Sequence, residues 1–171
     1  MRVARRLATL CFGFFLGVTL FAQMQTPAPS ANPAFEQLKS LAGTWEGKIL
    51  NGATVKVTYE VVSNGSVVME RLQPSNEAEM ITMYSLDHGS LVVTHYCSAG
   101  NQPTMQSDPV TAATGKYEFH FVRVAGTKTP DEGHMVGLTL LLPDKNHLTQ
   151  VWTFVENGKN NSETFTYSRK S

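Results

Sequence analysis

The sequence predicts an all-β fold: a single antiparallel up-and-down β-barrel of about nine or ten strands with one short N-terminal helix. Three observations carry that prediction. From Thr44 onward, successive runs alternate apolar and polar residues with period two and are rich in Val, Thr and aromatics, as half-buried strands are. Tight-turn sequences join most of these runs, so neighbours in sequence pair antiparallel. A meander of this many strands would leave long unpaired edges unless the sheet closed on itself.

Residues 1–22 read as a secretory signal peptide. Arg2, Arg5 and Arg6 precede an uncharged apolar stretch from Leu7 to Phe21, and Ala22 stands at a plausible cleavage position. The apolar stretch is shorter than the ~20 residues that a membrane-spanning helix needs. Cys11 follows bulky Leu10 early in that stretch, so no lipid anchor is expected. Residues 23–33, rich in Pro, Ala and small polar residues, read as a disordered linker. The expected barrel domain is 34–171. "PAFEQLKSLAG" places Phe35, Leu38 and Leu41 at helical spacing, with Pro33 before and Gly43 after, which predicts a short helix ending at Gly43.

The strand-like runs then follow as "TWEGKIL", "ATVKVTYEVV", "SVVMERLQ", "AEMITMYSL", "SLVVTHYC", "YEFHFVRV", "HMVGLTLLL", "HLTQVWTFV" and "SETFTYSRK". Asn51-Gly52, Asn64-Gly65 and Asn157-Gly158 have the composition of two-residue hairpin turns, Asp87-His88-Gly89 is another tight turn, and Pro143 to Asn146 suits a type I turn. The stretch "CSAGNQPTM" reads as a loop at a barrel end. There Ser98, Asn101 and Gln102 offer polar groups, and Pro103 restarts an extended segment.

The whole chain carries 14 basic and 14 acidic residues; loss of the leader removes three arginines and no acid, which leaves 11 basic against 14 acidic. A mildly acidic chain without a basic run argues against a nucleic-acid or anionic-membrane surface. Cleavage also removes Cys11 and leaves Cys97 alone, so the mature fold holds by its core without an internal disulfide. An exported protein, periplasmic or secreted, is expected, as a monomer or as a dimer that an exposed Cys97 could crosslink.

At "LAGTWEGKI" the chain resembles the calycin superfamily, which includes lipocalins, fatty-acid-binding proteins and haem-binding nitrobindins. Gly43-Thr44-Trp45 matches the G-x-W found where a short helix leads into the first barrel strand. Arg169, in "TFTYSRK", is similar to the calycin arginine that packs across that Trp, which implies a barrel-closing role for Trp45 and Arg169. "THYCSAGNQPTM" looks like a stretch of secreted bacterial lipocalin-like proteins. Nitrobindins carry G-x-W-x-G-x-G, whereas here Ile49 stands in place of the last glycine, a departure from the haem-binding pattern.

Pairing Asp87 with Ser90 sets the register of the hairpin around His88-Gly89. Leu86 then faces Leu91, Tyr84 faces Val93, Thr82 faces His95 and Met80 faces Cys97. That face is mostly apolar and is expected to point inward, with His95 neutral and satisfied by a hydroxyl such as that of Thr82 or Tyr84. One His and one Cys supply two metal ligands at most, and nothing in the spacing of His120, His134 and His147 brings them to the same point, so no metal is assigned. Side chains at i and i+2 of a strand stand roughly parallel, a poor geometry for a thiol–imidazole pair, and no catalytic residue is assigned. The acids Glu60, Glu70, Glu77, Glu79 and Glu118 show no spacing that fixes a general acid/base pair.

The expected function is binding of a small apolar or amphipathic molecule inside the barrel. The wall would comprise Tyr84, Val93, His95, Cys97 and Met105, with Phe119 and Phe121 opposite. Two alternatives stay open: a haem- or metal-binding protein or thiol enzyme using His95 and Cys97, and a filled barrel without a ligand.

Overall fold

In a computed structural model of the chain, residues 31–48, 52–75 and 77–170 are described. The leader, most of the linker and Asn51 of one expected turn lie outside them. One helix is followed by ten strands among the described residues. The helix α1 spans Pro33–Lys39. The strands are β1 (Gly43–Lys48), β2 (Thr54–Val62), β3 (Val67–Pro74), β4 (Met80–Asp87), β5 (Ser90–Tyr96), β6 (Gln102–Pro109), β7 (Lys116–Ala125), β8 (His134–Asp144), β9 (His147–Glu156) and β10 (Lys159–Arg169). Each strand pairs antiparallel with its sequence neighbour, and β1 pairs with β10 to close the barrel. Closure leaves no edge strand, the physical reason for expecting a barrel.

The hairpin registers follow from their turns. His88 and Gly89 take φ of 45° and 87°, and Asn157 and Gly158 take 50° and 71°, the left-handed pairs that a two-residue hairpin loop requires. Asp87 accordingly pairs with Ser90, and the register continues through Tyr84 with Val93 and Thr82 with His95. Between β8 and β9 the Asp144 carboxylate accepts from the backbone N–H groups of Asn146 (2.7 Å) and His147 (3.0 Å) and holds that turn.

Several local expectations need correction. Asn64-Gly65 does not form a two-residue loop; Val62 pairs with Val67, and Ser63 to Ser66 make a longer turn with a short 3-10 segment. The helix stops at Lys39, because the chain must turn through Ser40 and Leu41 before Gly43 opens β1. Pro33, expected in the linker, is the first residue of α1, and Asn32 is its N-cap. The Asn32 side chain accepts from the N–H groups of Ala34 (2.9 Å) and Phe35 (3.2 Å) and donates to the Val110 carbonyl (2.7 Å). The segment read as a loop with an extended continuation runs from the end of β5 into β6, whose first four residues are Gln102 to Met105.

Phe121 is the one wall candidate that is exposed instead of lying in the interior. Arg123 pairs with Thr104 and Phe121 with Met105, so Val122 is an extra residue without a partner and the β6–β7 ladder is bulged beside Phe121. Phe121 is 41% exposed, with its ring 5.1 Å from that of His134.

The barrel has two unlike ends. At the lower end, α1 lies across the opening and buries Ala34, Phe35 and Leu38. Gln37 bonds the Gly115 N–H and the Tyr117 hydroxyl. Trp45 is fully buried and donates to the Leu41 carbonyl at 2.8 Å. The Arg169 guanidinium stacks 4.1 Å from the Trp45 ring and donates to the carbonyls of Lys145, Ala42 and Ser40 at 2.8, 2.8 and 2.7 Å. Gly47 lets β1 and β10 meet, since a Cβ there would lie 2.1 Å from the Thr166 carbonyl oxygen. The upper end, formed by the β3–β4, β5–β6, β7–β8 and β9–β10 connections, has no such plug among the described residues.

Candidate functional site

Period-two alternation aims Val68, Glu70 and Leu72 of β3 inward together, and Leu148, Gln150 and Trp152 of β9 likewise. Two polar residues therefore enter an apolar interior, and they meet. Gln150 Nε2 donates to Glu70 Oε2 (2.9 Å) and to the Tyr59 hydroxyl (2.7 Å). Its Oε1 accepts from Trp152 Nε1 (3.1 Å) and the Tyr167 hydroxyl (3.3 Å). Both ends of the amide are fully used, which fixes its orientation. The Tyr84 hydroxyl donates to Glu70 Oε2 at 2.6 Å, while Glu70 Oε1 has no partner.

Glu70 is completely buried, and no ion pair among the described residues includes it. Burial pushes its carboxyl above the ordinary value, against hydrogen bonds from Tyr84, Gln150 and Tyr59 that pull it down. Burial, and then the nearby Glu70 charge, hold the Tyr59 and Tyr84 hydroxyls well above the usual tyrosine range. This layer crosses the middle of the barrel as a polar floor.

Above the floor lies a pocket of about 380 Å³. Leu72, Met80, Met135, Trp152, Phe154 and Phe165 supply most of its apolar wall. His95 lines it from β5. The His95 side chain is 1% exposed, its ring centroid is 4.7 Å from that of Trp152, and Nδ1 is 2.9 Å from the Thr82 hydroxyl. Nε2 is buried without a partner. Burial lowers the imidazole pKa to about 4, so the ring is neutral near pH 7. Cys97 lines the same pocket, half-buried, with Ser98, Glu77 and Glu163 nearer the mouth. The Ser98 hydroxyl and Glu77 are 3.4 Å apart.

Of the residues expected in a wall, His95 and Cys97 line the pocket. Tyr84, Val93, Met105 and Phe119 are buried in the interior but do not line it. Tyr84 belongs to the polar floor, and Phe119 packs edge-on against it at 6.2 Å. Trp45 and Arg169 lie at the lower end. Among the loop residues, Asn101 is fully buried and donates to the Gly133 carbonyl (2.9 Å), while Gln102 donates to the Gly100 carbonyl (2.7 Å). His120 is exposed on the outer surface, and His134 and His147 open β8 and β9. Among the described residues no three His, Cys, Asp or Glu side chains converge as a metal site would require.

No protein-family model matches the chain, and no curated protein matches it in sequence. Among solved structures, the chain is similar to a protein of unknown function from the DUF3598 family of Nostoc punctiforme, with a TM-score of 0.52 and 11% sequence identity. The match covers 78% of this chain and 49% of that one, so the chain spans about half the length of that protein. At this identity the likeness concerns the fold alone.

Sequence reasoning missed the polar floor and the pocket's far wall. Glu70 and Gln150 are 80 residues apart, and Tyr59 and Gln150 are 91 apart, so nothing local pairs them. A usable signal was the phase of each strand, because Val68-x-Glu70-x-Leu72 and Leu148-x-Gln150-x-Trp152 place a polar residue in the middle of an inward row.

Proposed function

We propose that this protein is an exported, calycin-like binding barrel that holds one small, largely apolar molecule in the pocket above the Glu70 layer. The observation that carries this reading is His95 Nε2, a buried polar atom without a partner in the wall of an apolar pocket. A buried donor or acceptor left unmade costs about 1–3 kcal/mol, which a bound group facing Nε2 would recover. The Thr82 hydroxyl engages Nδ1, so Nε2 presents one uncharged polar atom, a donor in the tautomer that accepts from Thr82 and an acceptor in the tautomer that donates to it. Leu72, Met80, Met135, Trp152, Phe154 and Phe165 offer hydrophobic contact, and the pocket volume lies near the lower end of the roughly 300–1,000 Å³ usual for small-molecule sites. The basic-then-apolar leader supports export, and Gly43-Thr44-Trp45 with Arg169 stacked on Trp45 supports the calycin-like reading.

Catalysis by Cys97 finds less support. His95 gives Nδ1 to Thr82 and makes no hydrogen bond through Nε2, so no base is engaged with the thiol. Haem does not fit the residues present, because its two carboxylates would meet a mouth lined by Glu77 and Glu163 and by no Lys or Arg.

Native mass spectrometry of the protein purified from its own host, compared with the denatured sample, tests the reading. A bound organic mass lost on denaturation is expected, with Trp152 fluorescence responding when an apolar probe is titrated in. Replacing His95 by Leu should weaken the native ligand about tenfold, the loss of one buried hydrogen bond. A bare polypeptide mass together with no response to the probe would overturn the proposal.

A further inference from the structure

We propose that the pocket selects by charge and takes a cationic amphiphile, its apolar body inside and its ammonium group at the mouth between Glu77 and Glu163. This rests on the reading of the pocket as a ligand site and adds the chemical class of the ligand. Glu163 stands on the inward face of β10, in register with Trp152, at the outer end of the row that continues through Phe165 and Tyr167. Glu77 comes from the β3–β4 connection and lines the same mouth.

Neither carboxylate is in an ion pair among the described residues, whereas neighbouring Glu79 is paired with Arg71 (3.1 Å) and Gln73 (2.6 Å). No Lys or Arg lines the pocket, so no positive charge there answers an anionic head group. At the inner end, the buried unpartnered Nε2 of His95 supports the reading of the cavity as a ligand site. A fatty acid would bring its carboxylate either to the two acidic residues or into the apolar interior beside a neutral imidazole, and both placements are unfavourable.

Three probes of equal chain length isolate the head group: octylamine, octanol and octanoate, titrated at pH 7 into the mature protein and followed by tryptophan fluorescence. Octylamine is expected to bind about tenfold more tightly than octanoate, with octanol between them and the spread shrinking at high salt, as for exposed charge contacts. The double variant Glu77→Gln with Glu163→Gln should bring the three affinities together. Both side chains are exposed, so an unchanged far-UV spectrum is expected for it. Octanoate binding as tightly as octylamine, or a preference that survives in the double variant, would overturn charge selection while the pocket remained a binding site. Failure of all three to bind would remove the binding reading itself and this inference with it.

Discussion

His95 and Glu70 are buried titratable groups whose pKa values move in opposite directions, and each leaves its own mark on stability. The His95 pKa falls from 6.5 to about 4 on folding, so as pH drops the unfolded chain takes up this proton first. Stability held by the neutral ring is therefore lost between about pH 6.5 and 4, on the order of 3 kcal/mol at 1.36 kcal/mol per pKa unit. Urea midpoints across this window should fall more steeply for the wild type than for His95→Gln, which cannot titrate. For Glu70 the sign reverses. Its folded pKa is raised, so its contribution is fully present below the ordinary carboxylate pKa and is lost as pH rises through the folded value. Glu70→Gln should remove that loss on raising the pH while still accepting from Tyr84. Glu70→Leu, which leaves the Tyr84 and Gln150 donors unanswered, should cost about 2–4 kcal/mol at any pH, measured by equilibrium unfolding.

At the scale of elements, legibility followed how strongly each segment's chemistry departed from alternatives. The β4–β5 register was readable because His88-Gly89 permits one loop length, and that alone placed Thr82 opposite His95. Strand β6 resisted because Pro103 and Pro109 lie within it and its inward positions include Ser107 where other strands use Val or Leu. Ser107 belongs there because its hydroxyl accepts the Leu91 N–H at 2.9 Å and replaces a ladder bond at the bulge. The bulge that turns Phe121 outward arises from an unpaired Val122, a two-strand property that one strand's alternation cannot show. Helix α1 has only 7 residues and depends on its cap and its docking. Asn32→Ala removes both the cap and the bond to Val110, and should lower unfolding free energy by about 1–2 kcal/mol in denaturant titration.

For the whole molecule, closure is the long-range event. Nine of the ten pairings join consecutive strands, whereas β1 and β10 come from opposite ends of the domain. Their seam is made by Gly47 against the Thr166 backbone and by the Arg169 fork over Trp45. Gly47→Ala forces two backbones apart and should destabilise the fold by about 3 kcal/mol, read by thermal and urea unfolding. Pairing distant segments before closure carries a loop-entropy cost, and refolding on the millisecond-to-second scale of β-rich topologies is expected in stopped-flow experiments. Composition could announce a barrel. The polar floor and the pocket above it exist only once strands about 80 residues apart have met.

With α1 stoppering the lower end, the proposed ligand would have one doorway among the described residues, at the upper mouth. A guest that enters past Glu77 and Glu163 must leave by the same route, so a newcomer cannot press it out from behind. Release would then be a first-order event whose rate is indifferent to the concentration of competitor in chase experiments. On the proposed reading, such a vessel would suit carriage and safekeeping better than conduction.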